Sequence, residues 1–149
     1  MFKEISSVNN SYIKELLLLR DKNTRLEKNE FIVEGYHLVE EAYKHNMLKA
    51  VLSTDGNSLN NFHVDEKYKV NDAIIKKLSS TKTPQNIIGV VKISNQANIF
   101  DYLNNNDLRI VILDDVNDPG NLGTIIRTAA ALGFDMIISS IQTDRKSVV

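Results

Sequence analysis

Short apolar runs alternate with amphipathic stretches along most of this chain, and that alternation narrows its fold more than any other feature. Phe31-Ile32-Val33, Lys49 to Ser53, Tyr68 to Val70 and Ile87 to Ile93 have the length and the turn-rich borders of strands. Between them lie segments with helical spacing. Ile13, Leu16, Leu17 and Leu19, or the stem of Arg20, recur three to four residues apart behind Asn10 or Ser11 as N-cap, in a helix expected to break near Asn23. Leu38, Val39, Ala42 and Tyr43 follow Gly35 with their side chains expected inward, and Ile74, Ile75 and Leu78 follow Asn71 as a cap. Asp55-Gly56-Asn57 reads as a turn. Strands alternating with helices of about ten residues predict an α/β layered domain with a mostly parallel sheet, closing near Ser94.

Ser94 to Asp107 is rich in Asn and Asp and reads as a linker, so the expected organisation is a domain over 1–94, a linker over 95–107 and a second unit over 108–149. The second unit opens with the strand Arg109 to Leu113, continues through a helix from about Leu122 to Leu132 with Gly133 at its C-terminus, and ends on the strand Asp135 to Ser139. Two strands and one helix do not enclose a core, so further sequence is expected beyond Ser140. Asp144 to Val149 breaks the pattern and matches a translated sequencing adapter; residues 144–149 are expected to be non-native.

Composition excludes several functions. The absence of cysteine rules out thiolate metal sites and disulfides, and His37, His45 and His63 are too scattered to suggest zinc, so no metal is expected. No run approaches the ~18–20 apolar residues of a membrane span, and a cytoplasmic protein is expected. The net charge of -1 hides local basic excess. Glu66 to Lys92 carries six lysines against Glu66 and Asp72, and Lys14 to Lys28 carries Lys14, Arg20, Lys22, Arg25 and Lys28 against Glu15, Asp21 and Glu27. If the two stretches meet they form a phosphate-contacting face, with a solvated lysine-rich surface as the alternative.

The segment Asp118-Pro119-Gly120-Asn121-Leu122-Gly123-Thr124 reads as a glycine-containing loop between strand and helix. Gly120 and Gly123 would permit positive φ or close backbone approach, and free amides at the helix start would favour an anion. Arg127 follows on the helix as a planar cationic donor. No Walker lysine and no dinucleotide fingerprint accompany the loop, so an ordinary strand-to-helix turn with an exposed arginine fits as well.

The run Leu113 to Ser140 resembles the first signature motif of the SpoU (TrmH) branch of SPOUT methyltransferases: an Asn, a Gly two residues on and an Arg four residues later, here Asn121, Gly123 and Arg127, led in by Asp118-Pro119-Gly120. Independently, Ile5-Ser-Ser7, Asn10, Ile13-Lys14, Arg25, Phe31-Ile-Val-Glu-Gly35 and Lys82-Thr-Pro-Gln85 resemble that family's substrate-binding domain, itself similar to small RNA-binding ribosomal proteins. The resemblance implies an N-terminal α/β/α domain followed by the first β-α-β unit of a SPOUT fold without its knot. It also implies methyl transfer from S-adenosylmethionine to a ribose 2′-hydroxyl of RNA, mostly ribosomal, by a homodimer, with Arg127 and Asn121 catalytic. The family's later motifs, which complete the cofactor pocket, would lie beyond residue 140, so the chain itself is expected to be inactive and to bind RNA weakly if at all. Arg25 with Lys22 and Lys28, and Lys82, are candidate phosphate contacts. Glu34-Gly35, Tyr36 and Tyr43 read as structural. A non-catalytic RNA-binding adaptor and a phosphate- or nucleotide-binding α/β module are the competing readings.

Overall fold

A computed structural model describes residues 2–93 and 107–140. The chain divides into two compact units, Met1–Ser94 and Asn95–Val149. The expected linker lies almost wholly outside the described residues, as does the tail 144–149.

The first unit runs β1 (Lys3–Ile5), α1 (Ser11–Leu18), α2 (Lys22–Lys28), β2 (Glu30–Glu34), α3 (Tyr36–Lys44), β3 (Leu48–Ser53), α4 (Gly56–Asn60), β4 (Glu66–Val70), α5 (Asp72–Leu78) and β5 (Ile87–Lys92). Its five strands form one sheet in the order β1-β4-β3-β5-β2. The sheet is mixed, not mostly parallel: β4 is parallel to β1 and β3, while β5 is antiparallel to both β3 and β2. Apolar runs specify burial on both faces but not strand direction, which explains the discrepancy.

Strand alternation divides the core into two layers. Ala50, Leu52, Ile88 and Val90 face Ile13, Leu16 and Leu19 with Ile74, Ile75 and Leu78. Val51, Ile87 and Val91 point the other way, toward Val39, Ala42, Leu59 and Phe62. Helices therefore cover both faces of the sheet. Tyr36 and Tyr43 pack on Phe62, with ring centroids 5.7 and 5.5 Å away.

Four local expectations need correction. The first helix stops at Leu18, and the chain starts α2 behind Asp21, whose carboxylate accepts from the Thr24 amide at 2.9 Å; that cap outcompetes continuation through Asn23. Leu17 is only partly buried, at the edge of its cluster. Leu38 is exposed because Val39 and Ala42 alone define the inner stripe of α3. Asp55-Gly56-Asn57 is the capped start of α4, not a free turn.

The second unit comprises β6 (Ile110–Leu113), α6 (Pro119–Ala131) and β7 (Met136–Ser139), with β6 and β7 parallel and α6 as the crossover. Gly133 closes the helix with φ +72: its amide reaches the Ala130 carbonyl at 3.1 Å and the Phe134 amide reaches Ala129 at 2.9 Å, the paired bonds of a Schellman end. Among its described residues only Leu113 and Ala129 are buried, and Ile112, Ile126 and Leu132 stay exposed. No helix among the described residues is long and apolar enough to cross a membrane.

Candidate functional site

In the second unit the chain turns at Asp115, a non-glycine residue at φ +55 whose backbone amide donates to Ser140 Oγ at 3.1 Å. Asn117 Nδ2 donates back to Asp115 Oδ1 at 2.9 Å, which fixes the approach to α6. Asp118 is the N-cap: its Oδ1 accepts the Asn121 amide at 2.7 Å, and Pro119 occupies the first turn, where no N–H is needed. The helix thus begins three residues before Leu122. Asp118 to Thr124 is a cap and the opening turns of a helix instead of a loop, and neither Gly120 nor Gly123 has a positive φ. The Asp118 carboxylate already faces the Asn121 amide, so an incoming phosphate would meet a like charge there. That disfavours the phosphate-binding reading.

Arg127 lies one turn after Gly123 and folds back along the helix. Its Nη2 donates to Thr124 Oγ1 at 3.3 Å, and Thr124 Oγ1 donates to the Gly120 carbonyl at 2.8 Å. A Cβ on residue 123 would stand 3.3 Å from Arg127 Nη1, so the missing side chain is what lets the guanidinium rest against the helix. Asn121 and Thr124 line an open cleft of about 540 Å³ with Asp115, Val116, Asn117, Asp118 and Ile125. Asn121 is exposed in the wall of this cleft; Arg127 is exposed too but is not one of its lining residues, and its link to the cleft is the bond to Thr124.

In the first unit the two basic stretches meet, because α1 and α5 share a core layer. Several of their cations are engaged with backbone. Arg20 Nη2 donates to the Lys77 carbonyl at 2.7 Å and the Ser79 carbonyl at 3.3 Å. Arg25 Nη1 donates to the carbonyls of Leu19 and Arg20 at 3.1 and 2.9 Å, closing the C-terminus of α1. Lys28 lies 3.8 Å from Glu15. Lys22 is half-buried at the start of α2, and Lys82 is exposed in the segment between α5 and β5.

The segment carrying Lys82 is held by Glu34, a residue whose surroundings in sequence give no sign of this role. Glu34, at the end of β2, accepts from Ser79 Oγ at 2.7 Å through Oε2, and from Thr81 Oγ1 at 3.0 Å and the Gln85 amide at 2.8 Å through Oε1. Burial pushes its carboxyl pKa up, but the bonds from Gln85, Ser79, Thr81 and the Ser80 amide outweigh that and leave it below the ordinary value. Next to it, Gly35 adopts φ +99 and is buried against the Gln85 side chain. The two motifs Phe31 to Gly35 and Lys82 to Gln85, distant in sequence, thus meet through Glu34, Gly35 and Gln85. His37, Glu40 and Glu41 bring ligand atoms within 4.8 Å of one another on α3, but Lys44 pairs with Glu41 at 3.1 Å and Glu40 at 3.5 Å.

Comparison with known proteins decides the lineage. Residues 10–89 match the MRM3-like substrate binding domain and residues 108–148 match the SpoU rRNA methylase family. This chain belongs to the SpoU/TrmH family of rRNA 2′-O-methyltransferases. It is 32% identical over 139 residues to the 23S rRNA (guanosine(2553)-2′-O)-methyltransferase RlmP of Bacillus subtilis, covering 91% of this chain and 54% of that protein. It is 27% identical to the mitochondrial rRNA methyltransferase 3 of Homo sapiens over 134 residues, 83% of this chain and 31% of that one. The crystal structure of an rRNA methyltransferase from Sinorhizobium meliloti superimposes with a TM-score of 0.78 at 30% identity, over 93% of this chain and 54% of that one. The SpoU chain described here thus spans about half the length of these bacterial relatives.

Proposed function

We propose that this chain is the RNA-recognition domain and the first catalytic segment of an S-adenosylmethionine-dependent ribose 2′-O-methyltransferase acting on ribosomal RNA. The observation that carries the catalytic part is the helical stretch Asn121-Gly123-Arg127, in which a guanidinium rests on a glycine and bonds Thr124, a residue that lines the open cleft together with Asn121. A guanidinium is a planar, permanently charged donor. It can therefore stabilise negative charge growing on a ribose 2′-oxygen and hold the adjoining phosphate with its planar fork. Asn121, exposed on the same helix, supplies an amide donor and acceptor at the cleft wall.

The RNA-binding part rests on the substrate-binding match and on the basic residues of the first unit, with Lys82, Lys22, Lys28 and Arg25 as the candidate contacts. Residues 1–94 carry 14 Lys and Arg against 12 Asp and Glu, whereas residues 95–149 are net acidic. Binding is thus expected to be local and salt-sensitive.

The described cleft does not by itself fit S-adenosylmethionine. One loop and one helix form all its lining, with no second wall to enclose an adenine ring. An AdoMet-bound form is known for the Sinorhizobium meliloti enzyme, of whose chain this one covers 54%. We expect the 149-residue chain to bind RNA weakly and without turnover. The test is incubation of the purified chain with a 23S rRNA transcript and methyl-labelled S-adenosylmethionine. Retention of RNA without label is expected. Label in the RNA refutes the division of labour, and no retention at low salt refutes RNA recognition.

A further inference from the structure

We infer that Glu34 is the positioning residue of an RNA-contacting loop, Ser79 to Gln85, fixing where Lys82 stands before RNA arrives. The inference rests on the RNA-recognition reading above. The loop is held unevenly. The N-terminal end is tied by Arg20 to the Ser79 carbonyl, and the C-terminal end by Ser53 Oγ and the Thr54 amide, both donating to the Asn86 carbonyl at 2.9 and 3.1 Å. Those ties alone would anchor α5 and β5 and leave the middle free. Glu34 acts on the middle: Thr81 and Gln85, its partners through Oε1, bracket Lys82-Thr83-Pro84.

The chemistry of the arrangement separates it from an ordinary loop closure. Both oxygens of Glu34 are taken by hydroxyls and an amide. No ion pair among the described residues involves Lys82. The nearby carboxylate thus orders the loop without capturing its cation, and the ammonium stays exposed at the tip. Pro84 stiffens the tip further by fixing one φ. A loop ordered before binding loses less freedom when a phosphodiester docks, so part of the affinity contributed by Lys82 depends on Glu34 although Glu34 itself bears the wrong charge to touch phosphate.

The experiment is a double-mutant cycle on the full 149-residue chain with a 23S rRNA transcript as probe, combined with amide hydrogen exchange. Glu34→Gln keeps the size but replaces one acceptor oxygen by a donor. Exchange at Thr81 to Gln85 is expected to accelerate while β3 and β5 stay protected, and RNA affinity is expected to fall about tenfold. Lys82→Ala is expected to cost about as much, and the double variant to be within about twofold of either single one, because coupled residues are not additive. Unchanged loop exchange, or single losses that multiply to about a hundredfold, overturns the inference. Should Glu34→Gln not fold, Thr81→Val removes one donor and is expected to give the same loosening and the same non-additivity in milder form. Failure of the unsubstituted chain to bind RNA is a different result: the recognition reading falls and takes this inference with it, whereas normal binding by the unsubstituted chain with additive losses in the cycle sinks this inference alone.

Discussion

Arg127 lies back over Gly123, its Nη1 3.3 Å from where a Cβ on that residue would be. The contact makes stability and placement separable. Alanine has a better helix propensity than glycine by roughly 0.8–1.0 kcal/mol, and residue 123 sits inside α6 with an unstrained φ. Gly123→Ala is therefore expected to raise or preserve the thermal midpoint while shifting the side-chain N–H resonance of Arg127. A lower midpoint with an unmoved Arg127 signal would contradict the role given to the glycine.

Gly35 is held differently. Its φ of +99 with ψ 149 is a region essentially reserved for glycine, and a Cβ there would meet Gln85 Oε1 at 2.5 Å. Gly35→Ala is expected to destabilise the first unit by about 1–3 kcal/mol. Urea unfolding followed by circular dichroism measures it, and a loss under about 0.5 kcal/mol, the usual range of an innocuous surface change, would argue against the strain.

Arg25 and Lys82 are expected to part company. The bonds from Arg25 to the Leu19 and Arg20 carbonyls make Arg25→Ala a stability variant, costing about 1 kcal/mol or somewhat more. Lys82→Ala should leave unfolding unchanged and weaken RNA. Measuring both properties on both variants checks the split; the reverse pattern would show that the carbonyl contacts of Arg25 are incidental.

Much of this was legible in the sequence. Asn71 as a cap, the stripes Ile74, Ile75, Leu78 and Ile13, Leu16, Leu19, and the strands around Phe31, Val51 and Val90 follow from spacing alone. Strand direction did not, because a doubly buried strand reads the same in either sense. Asp118 to Thr124 looked like a loop because two glycines and a proline masked a capped helix start, although Asp followed by Pro is itself an N-terminal signal. Glu34 was missed as an organiser because its partners lie about fifty residues downstream, and a carboxylate in sequence gives no sign of whether hydroxyls or cations surround it. A Ser-Ser-Thr run next to a turn was the available hint.

Glu34 also sets a pH dependence. Burial raises its pKa and the hydrogen bonds lower it further than burial raises it, so the folded value lies below the ordinary 4.5. A depressed carboxylate contributes stability that is fully present above the unfolded value and is lost as pH falls through the folded one. Loop amide protection is therefore expected to be flat at neutral pH and to decline only once pH drops below 4.5. Hydrogen exchange across that range checks it, and a decline between about pH 6 and 8 would point to another group.

The most direct test of the account is the salt dependence of 23S rRNA transcript binding by the 149-residue chain, with and without Lys82. The chain should bind with log K falling linearly in log salt concentration, and Lys82→Ala should weaken binding at every salt and reduce the slope by about one. Binding that ignores salt, or a Lys82→Ala line that overlies the unsubstituted one, would contradict it.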